Sequence, residues 1–179
     1  LRSGARPGDV VAVAGDLGLA AQGIALLFER ARNDGGSPAA VLASALRPAH
    51  DAELDAQLMP RPPIASGPTA ALAGATAMLD VSDGLLLDAR RMARASGIRI
   101  ALDGAALATV LPPAVSIDRA LRGGEDHALL ATFPPAATLP DGFRAIGAVQ
   151  PGEGVALDGH RVDGRGGRDS YADWDGGAG

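Results

Sequence analysis

The sequence predicts an α+β sandwich in which helices pack on a mixed sheet. Three observations lead there. Strand-like and helix-like apolar periodicities interleave irregularly along the chain and do not alternate as regular βαβ units. Several short strand-like runs crowd late in the chain, where they can pair antiparallel. Of the 179 residues, 47% are apolar but only 3% aromatic, so the core must be built from Ala, Val, Leu and Ile. That length allows one large domain or two small ones with a real core.

The elements follow in order. Residues 9–14 read as a short buried strand closed by Gly15. Residues 17–32 carry Leu17, Ala20, Ala21, Ile24, Leu27 and Phe28 at helical spacing. Arg30 and Arg32 suit a helix C-terminus, and Gly35-Gly36 stops it. Residues 38–46 read as a second helix ended by Pro48, and 51–59 as a third. Pro60, Pro62 and Pro63 then force an extended, exposed connection. Residues 69–74 form a small-residue helical segment, and 75–79 an apolar strand. Leu85, Ala89, Met92 and Ala93 make one helix stripe with Gly97 as its C′ residue. A strand at 98–102, a short helix at 116–121 and strands at 128–133, 143–149 and 154–157 complete the pattern, the last two joined through Pro151-Gly152. The domain is therefore expected at 1–158, with 159–179 a Gly- and Arg-rich mobile tail.

Composition excludes several functions. No apolar run approaches the roughly 18 residues of a membrane span, and no secretory leader pattern is present. Cysteine is absent, which removes disulfides and thiolate metal sites and fits a reducing, cytoplasmic setting. A net charge of −5, with no Arg cluster beside stacking aromatics, argues against nucleic acid. All 16 basic residues are Arg, a usage that points to a GC-rich genome more than to a function. The chain opens on Leu1 and reads as the interior of a longer protein.

The most informative segment is Asp80-Val81-Ser82-Asp83-Gly84-Leu85, which sets two carboxylates and a hydroxyl where a strand feeds a helix. Magnesium takes carboxylate oxygens and keeps several waters, and helix-terminal N–H groups attract anionic oxygens. The plainer reading makes Ser82 or Asp83 an N-cap, which accounts for one acid but not both. A second acidic motif is Gly123-Gly124-Glu125-Asp126, whose glycines permit a tight turn that leaves Glu125 free to enter a cleft. Alone it reads as a surface turn. Gly15-Asp16-Leu17-Gly18 lacks both the dinucleotide and Walker patterns, so helix capping is its expected role. His50, His127 and His160 lie far apart, and only His127, next to the acidic turn, is a candidate site residue. Ser82 lacks the nucleophile elbow, and zinc lacks Cys or clustered His. Oxygen-ligated magnesium remains, and with it phosphate chemistry.

The Asp80–Leu85 motif, followed about 40 residues later by Gly123-Gly124-Glu125-Asp126, resembles thiamine-monophosphate kinase. Gly4-Ala5-Arg6-Pro7-Gly8-Asp9-Val10-Val11, Pro60-Arg61-Pro62-Pro63, Ala95-Ser96-Gly97 and Ile146-Gly147-Ala148-Val149 match in the same order. The resemblance implies the C-terminal α/β domain of an enzyme in the aminoimidazole-ribonucleotide-synthetase-like group, with the N-terminal ATP-binding domain lying outside this chain. It implies transfer of the ATP γ-phosphate to thiamine monophosphate, with magnesium on Asp80 and Asp83, Ser82 touching ATP, Glu125 touching the thiamine substrate, and no covalent nucleophile. It also implies a homodimer for the whole protein. Two departures stand out. His127 occupies a position where the family usually has Tyr. The family's C-terminal aromatic, which stacks on substrate, has Arg168 in its slot, leaving Tyr171 or Trp174 as substitutes. Alternative readings are a purine-pathway or selenophosphate synthetase of the same group, or a non-catalytic binding module.

Overall fold

The computed structural model describes residues 1–162. Seven strands form one mixed sheet: β1 (Val10–Ala14), β2 (Ala77–Val81), β3 (Arg99–Leu102), β4 (Ala128–Phe133), β5 (Phe143–Gln150), β6 (Gly154–Leu157) and β7 (His160–Arg161). Their order across the sheet is β2-β4-β1-β5-β3-β6-β7. Only β3 and β6 run parallel; the other neighbours are antiparallel. Among the described residues the helices are α1 (Leu19–Arg30), α2 (Ala40–Leu58), α3 (Ser66–Leu72), α4 (Leu85–Ser96), α5 (Gly104–Val110) and α6 (Ile117–Arg122). The α+β architecture read from the sequence is the one found.

Strand alternation divides the apolar residues between two faces. Val11 and Val13 of β1, Ala128 and Leu130 of β4 and Val81 of β2 enter the larger core, with Leu85, Leu86, Ala89, Met92 and Ala93 of α4 and Leu107 of α5. Ala12, Ala14, Ala131 and Phe133 face the other way and meet Ala70 of α3 and Phe143. There the rings of Phe133 and Phe143 pack edge to face, 5.3 Å apart at 74°. Both sides of the central strands are therefore covered, which is why β1 is apolar at every position and does not alternate.

Four local differences from the sequence reading have physical causes. Pro48 does not end the second helix. The chain stays helical through it and breaks at His50 (φ −138°, ψ 32°), while Arg47 spans the kink to Asp51 at 2.6 Å and Asp55 at 2.7 Å. Helix α5 was not anticipated: at seven residues it is too short to show a helical period, and its signal is the Asp103 N-cap accepting from the Ala106 N–H at 2.9 Å. The strand expected at 75–79 lies at Ala77–Val81 and so includes Asp80. The sheet also continues past Gly159, because Leu157 and Ala156 pair with His160 and Arg161. Residues 163–179, the rest of the expected tail, lie outside the described residues. Among the described residues no helix is long and apolar enough to cross a membrane.

Candidate functional site

The site is built at one end of three neighbouring strands. β2 ends at Val81, and α4 starts at Leu85 after the turn Ser82-Asp83-Gly84. Neither Ser82 nor Asp83 caps this helix: the N-cap residue is Gly84, which has no side-chain cap. The turn is instead held from inside the helix. Asp88, 1% exposed, accepts the backbone N–H groups of Ser82 and Asp83, each at 3.1 Å. Its other oxygen receives Arg91 Nη1 at 2.7 Å, and the same nitrogen reaches Asp83 Oδ2 at 2.5 Å. Burial pushes the Asp88 carboxyl up from its ordinary pKa, against the pull of Arg91 and the turn amides. The capping reading of Ser82 and Asp83 is thus replaced, and the turn amides are occupied by a carboxylate of the chain itself.

The second acidic turn lies directly on the first. Glu125 donates its backbone N–H to the Ser82 carbonyl oxygen at 2.9 Å. A Cβ at position 124 would come within 2.3 Å of that oxygen, so only glycine permits the approach. Glu125 and His127 both adopt left-handed backbone (φ 72° and 53°), a conformation that costs a non-glycine residue energy and gathers at functional sites. Glu125 projects outward, its side chain 65% exposed, with His127 Nε2 4.0 Å from Oε2. Asp126 turns inward between them.

Asp126 draws in the third turn. Its oxygens accept from the Gly18 N–H at 2.6 Å and the Ala20 N–H at 2.7 Å, capping α1 from 106 residues away. The capping expected of Gly15-Asp16-Leu17-Gly18 is therefore supplied to that turn, not by it; Asp16 is exposed. Burial drives the Asp126 carboxyl to a pKa of about 6, opposed by the two amides and helped by the nearby Asp16 charge. Asp16, Asp126, Asp55 and Arg61 line a small cleft of about 230 Å³.

The two predicted metal acids sit on opposite faces of the β2 end. Val81 enters the larger core, so alternation puts Asp80 with Met78 on the α3 side. There Asp80 and His127 border an apolar cavity of about 480 Å³ walled by Pro62, Pro63, Ile64 and Leu129. Asp83 is tied to α4. Among the described residues no group of three or more acids or histidines could hold a metal ion. Each of these carboxylates is a hard oxygen ligand of the kind that suits a magnesium completing its shell with water and phosphate oxygens. Arg168, Tyr171 and Trp174 lie outside the described residues. Sequence reasoning missed Asp88 and Arg91, whose signal was an acid and a base three apart in a helix starting at the motif. It also took Pro62 and Pro63 as mere linker, though they wall the Asp80 cavity.

With this geometry established, comparison with known proteins is specific. The sequence model of the family described as AIR synthase related protein, C-terminal domain, matches residues 6–139. The thiamine-monophosphate kinase of Mycobacterium tuberculosis (strain H37Rv) is 42% identical over 185 residues, covering 98% of this chain and 50% of that protein. Its counterpart from Aquifex aeolicus is 32% identical over 178 residues, covering 92% and 53%. The structure of AaThiL complexed with AMPPCP and TMP superposes with a TM-score of 0.71 at 32% identity, covering 92% of this chain and 52% of that one. Thiamine-monophosphate kinase from Stenotrophomonas maltophilia K279a gives a TM-score of 0.71 at 29% identity, covering 90% and 53%. The chain spans about half the length of the curated relatives it matches.

Proposed function

The chain belongs to the AIR synthase related C-terminal domain family, and we propose that it is the substrate-side half of a thiamine-monophosphate kinase. The whole protein transfers the γ-phosphoryl group of ATP to thiamine monophosphate. An oxygen of the acceptor phosphate attacks the γ-phosphorus in line, the bond to the bridging oxygen breaks, and ADP and thiamine diphosphate result. Such a reaction needs positioning and charge neutralisation more than a covalent nucleophile.

In this reading Asp80 and Asp83 hold magnesium, which when bound neutralises phosphate charge. Ser82 contacts ATP through its hydroxyl, because its N–H is already given to Asp88. Glu125, on the exposed side of its turn, meets the thiamine substrate, and Arg168, Tyr171 or Trp174 supplies the remaining contact. Nucleotide-binding groups come from a further domain, in a protein that works as a homodimer. The relatives' names support the substrate class, and a related structure holds AMPPCP, an ATP analogue, together with TMP.

The observation that carries the proposal is the contact between the two motif turns, with Glu125 bonded to Ser82 across Gly124. Acids distributed as caps and surface turns have no reason to converge so closely. The test is an ATP-dependent assay of thiamine diphosphate formation by the whole protein carrying this chain. No product above background would overturn the assignment.

A further inference from the structure

Resting on the reading of Asp83 as a cation ligand, we infer that Arg91, anchored by buried Asp88, is a positioning residue that sets the cation affinity of Asp83. One guanidinium nitrogen serves both acids, at 2.5 Å to Asp83 and 2.7 Å to Asp88. The two acids differ in a way that matters. Asp88 has 2% of its side chain exposed and also accepts two turn amides, so it stays where it is. The Asp83 side chain is 24% exposed and its carboxylate has no backbone donor among the hydrogen bonds described, so it is the partner able to exchange Arg91 for another cation. Arg91 therefore does two things at once: it orients the acid, and it competes for its charge.

The competition has a calculable sign. A divalent cation arriving at Asp83 meets a carboxylate already neutralised, with a guanidinium a few ångström away. Removing that charge tightens cation binding on the order of tenfold, the effect of one unit charge at such range in a partly screened site. Asp80, on the other face of β2, lies away from this pair, so the effect runs through Asp83 alone.

Manganese(II) serves as the probe, titrated into the full chain and followed by electron paramagnetic resonance without nucleotide or thiamine compounds. Because Arg91→Met leaves the buried Asp88 charge unpaired, the principal variant is Arg91→Met with Asp88→Asn. Its side-chain oxygen still accepts the turn amides. The expected result is about tenfold tighter Mn²⁺ binding in that double variant than in Asp88→Asn alone, the reference that already lacks the Asp88 charge, with a smaller gain in Arg91→Lys over the wild type and no gain when Asp83→Asn is added. Unchanged or weaker binding in the double variant overturns the inference, as does a gain that survives Asp83→Asn. Absence of Mn²⁺ binding in every variant overturns it together with the assignment of Asp83 as a metal ligand. Binding that ignores Arg91 overturns the inference alone.

Discussion

The amide of Glu125 donates to the carbonyl of Ser82 at 2.9 Å, so two acidic turns 43 positions apart share one backbone hydrogen bond. Through that bond the position of Glu125 depends on the same turn that presents Asp83, and a change on one side is felt on the other.

Gly124→Ala should separate the two turns. The new methyl group would sit 2.3 Å from a backbone oxygen that cannot swing away. A loss of about 2 kcal/mol is expected from overpacking of this kind, read as the urea midpoint. Gly35→Ala, which meets only Asn33 Oδ1 at 3.4 Å, is the control and should leave the midpoint in place.

Asp83→Asn should separate activity from folding. The partly exposed acid gives up one ion pair to Arg91 and nothing in the core, so the melting temperature should move by no more than a degree or two. Thiamine diphosphate formation by the whole protein should fall about 100-fold, as when a group stabilising transferred charge is lost. Near-normal turnover would remove Asp83 from the mechanism.

Asp88→Ala should do the opposite in part. It strips the Ser82 and Asp83 amides of their acceptor and removes the Asp88 partner of Arg91. A loss of ~3 kcal/mol is expected for breaking a buried pair, visible in calorimetry before any assay is run. Asp88→Asn should be milder, since it keeps an acceptor for the turn.

Asp126 should give the domain an acid-side gain in stability. Its carboxyl is raised from 3.8 to about 6 in the folded state, so the folded protein holds this proton more tightly than the unfolded chain. The associated stabilisation is fully present below about pH 3.8 and disappears as pH rises through 6; a shift of this size is worth about 3 kcal/mol. Asp126→Asn should remove that component from the pH dependence of unfolding. Carbon-13 NMR of the wild-type carboxyl should show a midpoint near 6, and a midpoint near 4 would exclude the burial effect.

The sequence was most legible where period and punctuation agree. The strand Ala128–Phe133 and the helix starting at Leu85 with Gly97 beyond its end were found where their patterns put them. Its length of seven residues hid α5, and Pro48 misled because a helix broken at His50 can be clamped by Arg47 to Asp51 and Asp55. The candidate site was legible as motifs but not as supports. Spacing brought Asp83 and Glu125 into view, while nothing in a linear pattern says that Asp88 reaches backward or that Asp126 caps a helix 106 residues earlier. Such roles belong to tertiary packing, which local periodicity does not encode.

The order β2-β4-β1 carries a consequence for how the chain reaches this state. Strand β4 is wedged between two strands that precede it, one by about fifty positions and the other by more than a hundred. As the polypeptide leaves the ribosome, β1 and β2 wait with open edges until residues 128–133 arrive between them. No folding intermediate made from the first hundred residues can contain the turns that meet at Ser82, Gly18 and Asp126. The contacts of Glu125 with Ser82 and of Asp126 with Gly18 therefore form in one late step, and a nascent chain stalled before β4 has neither.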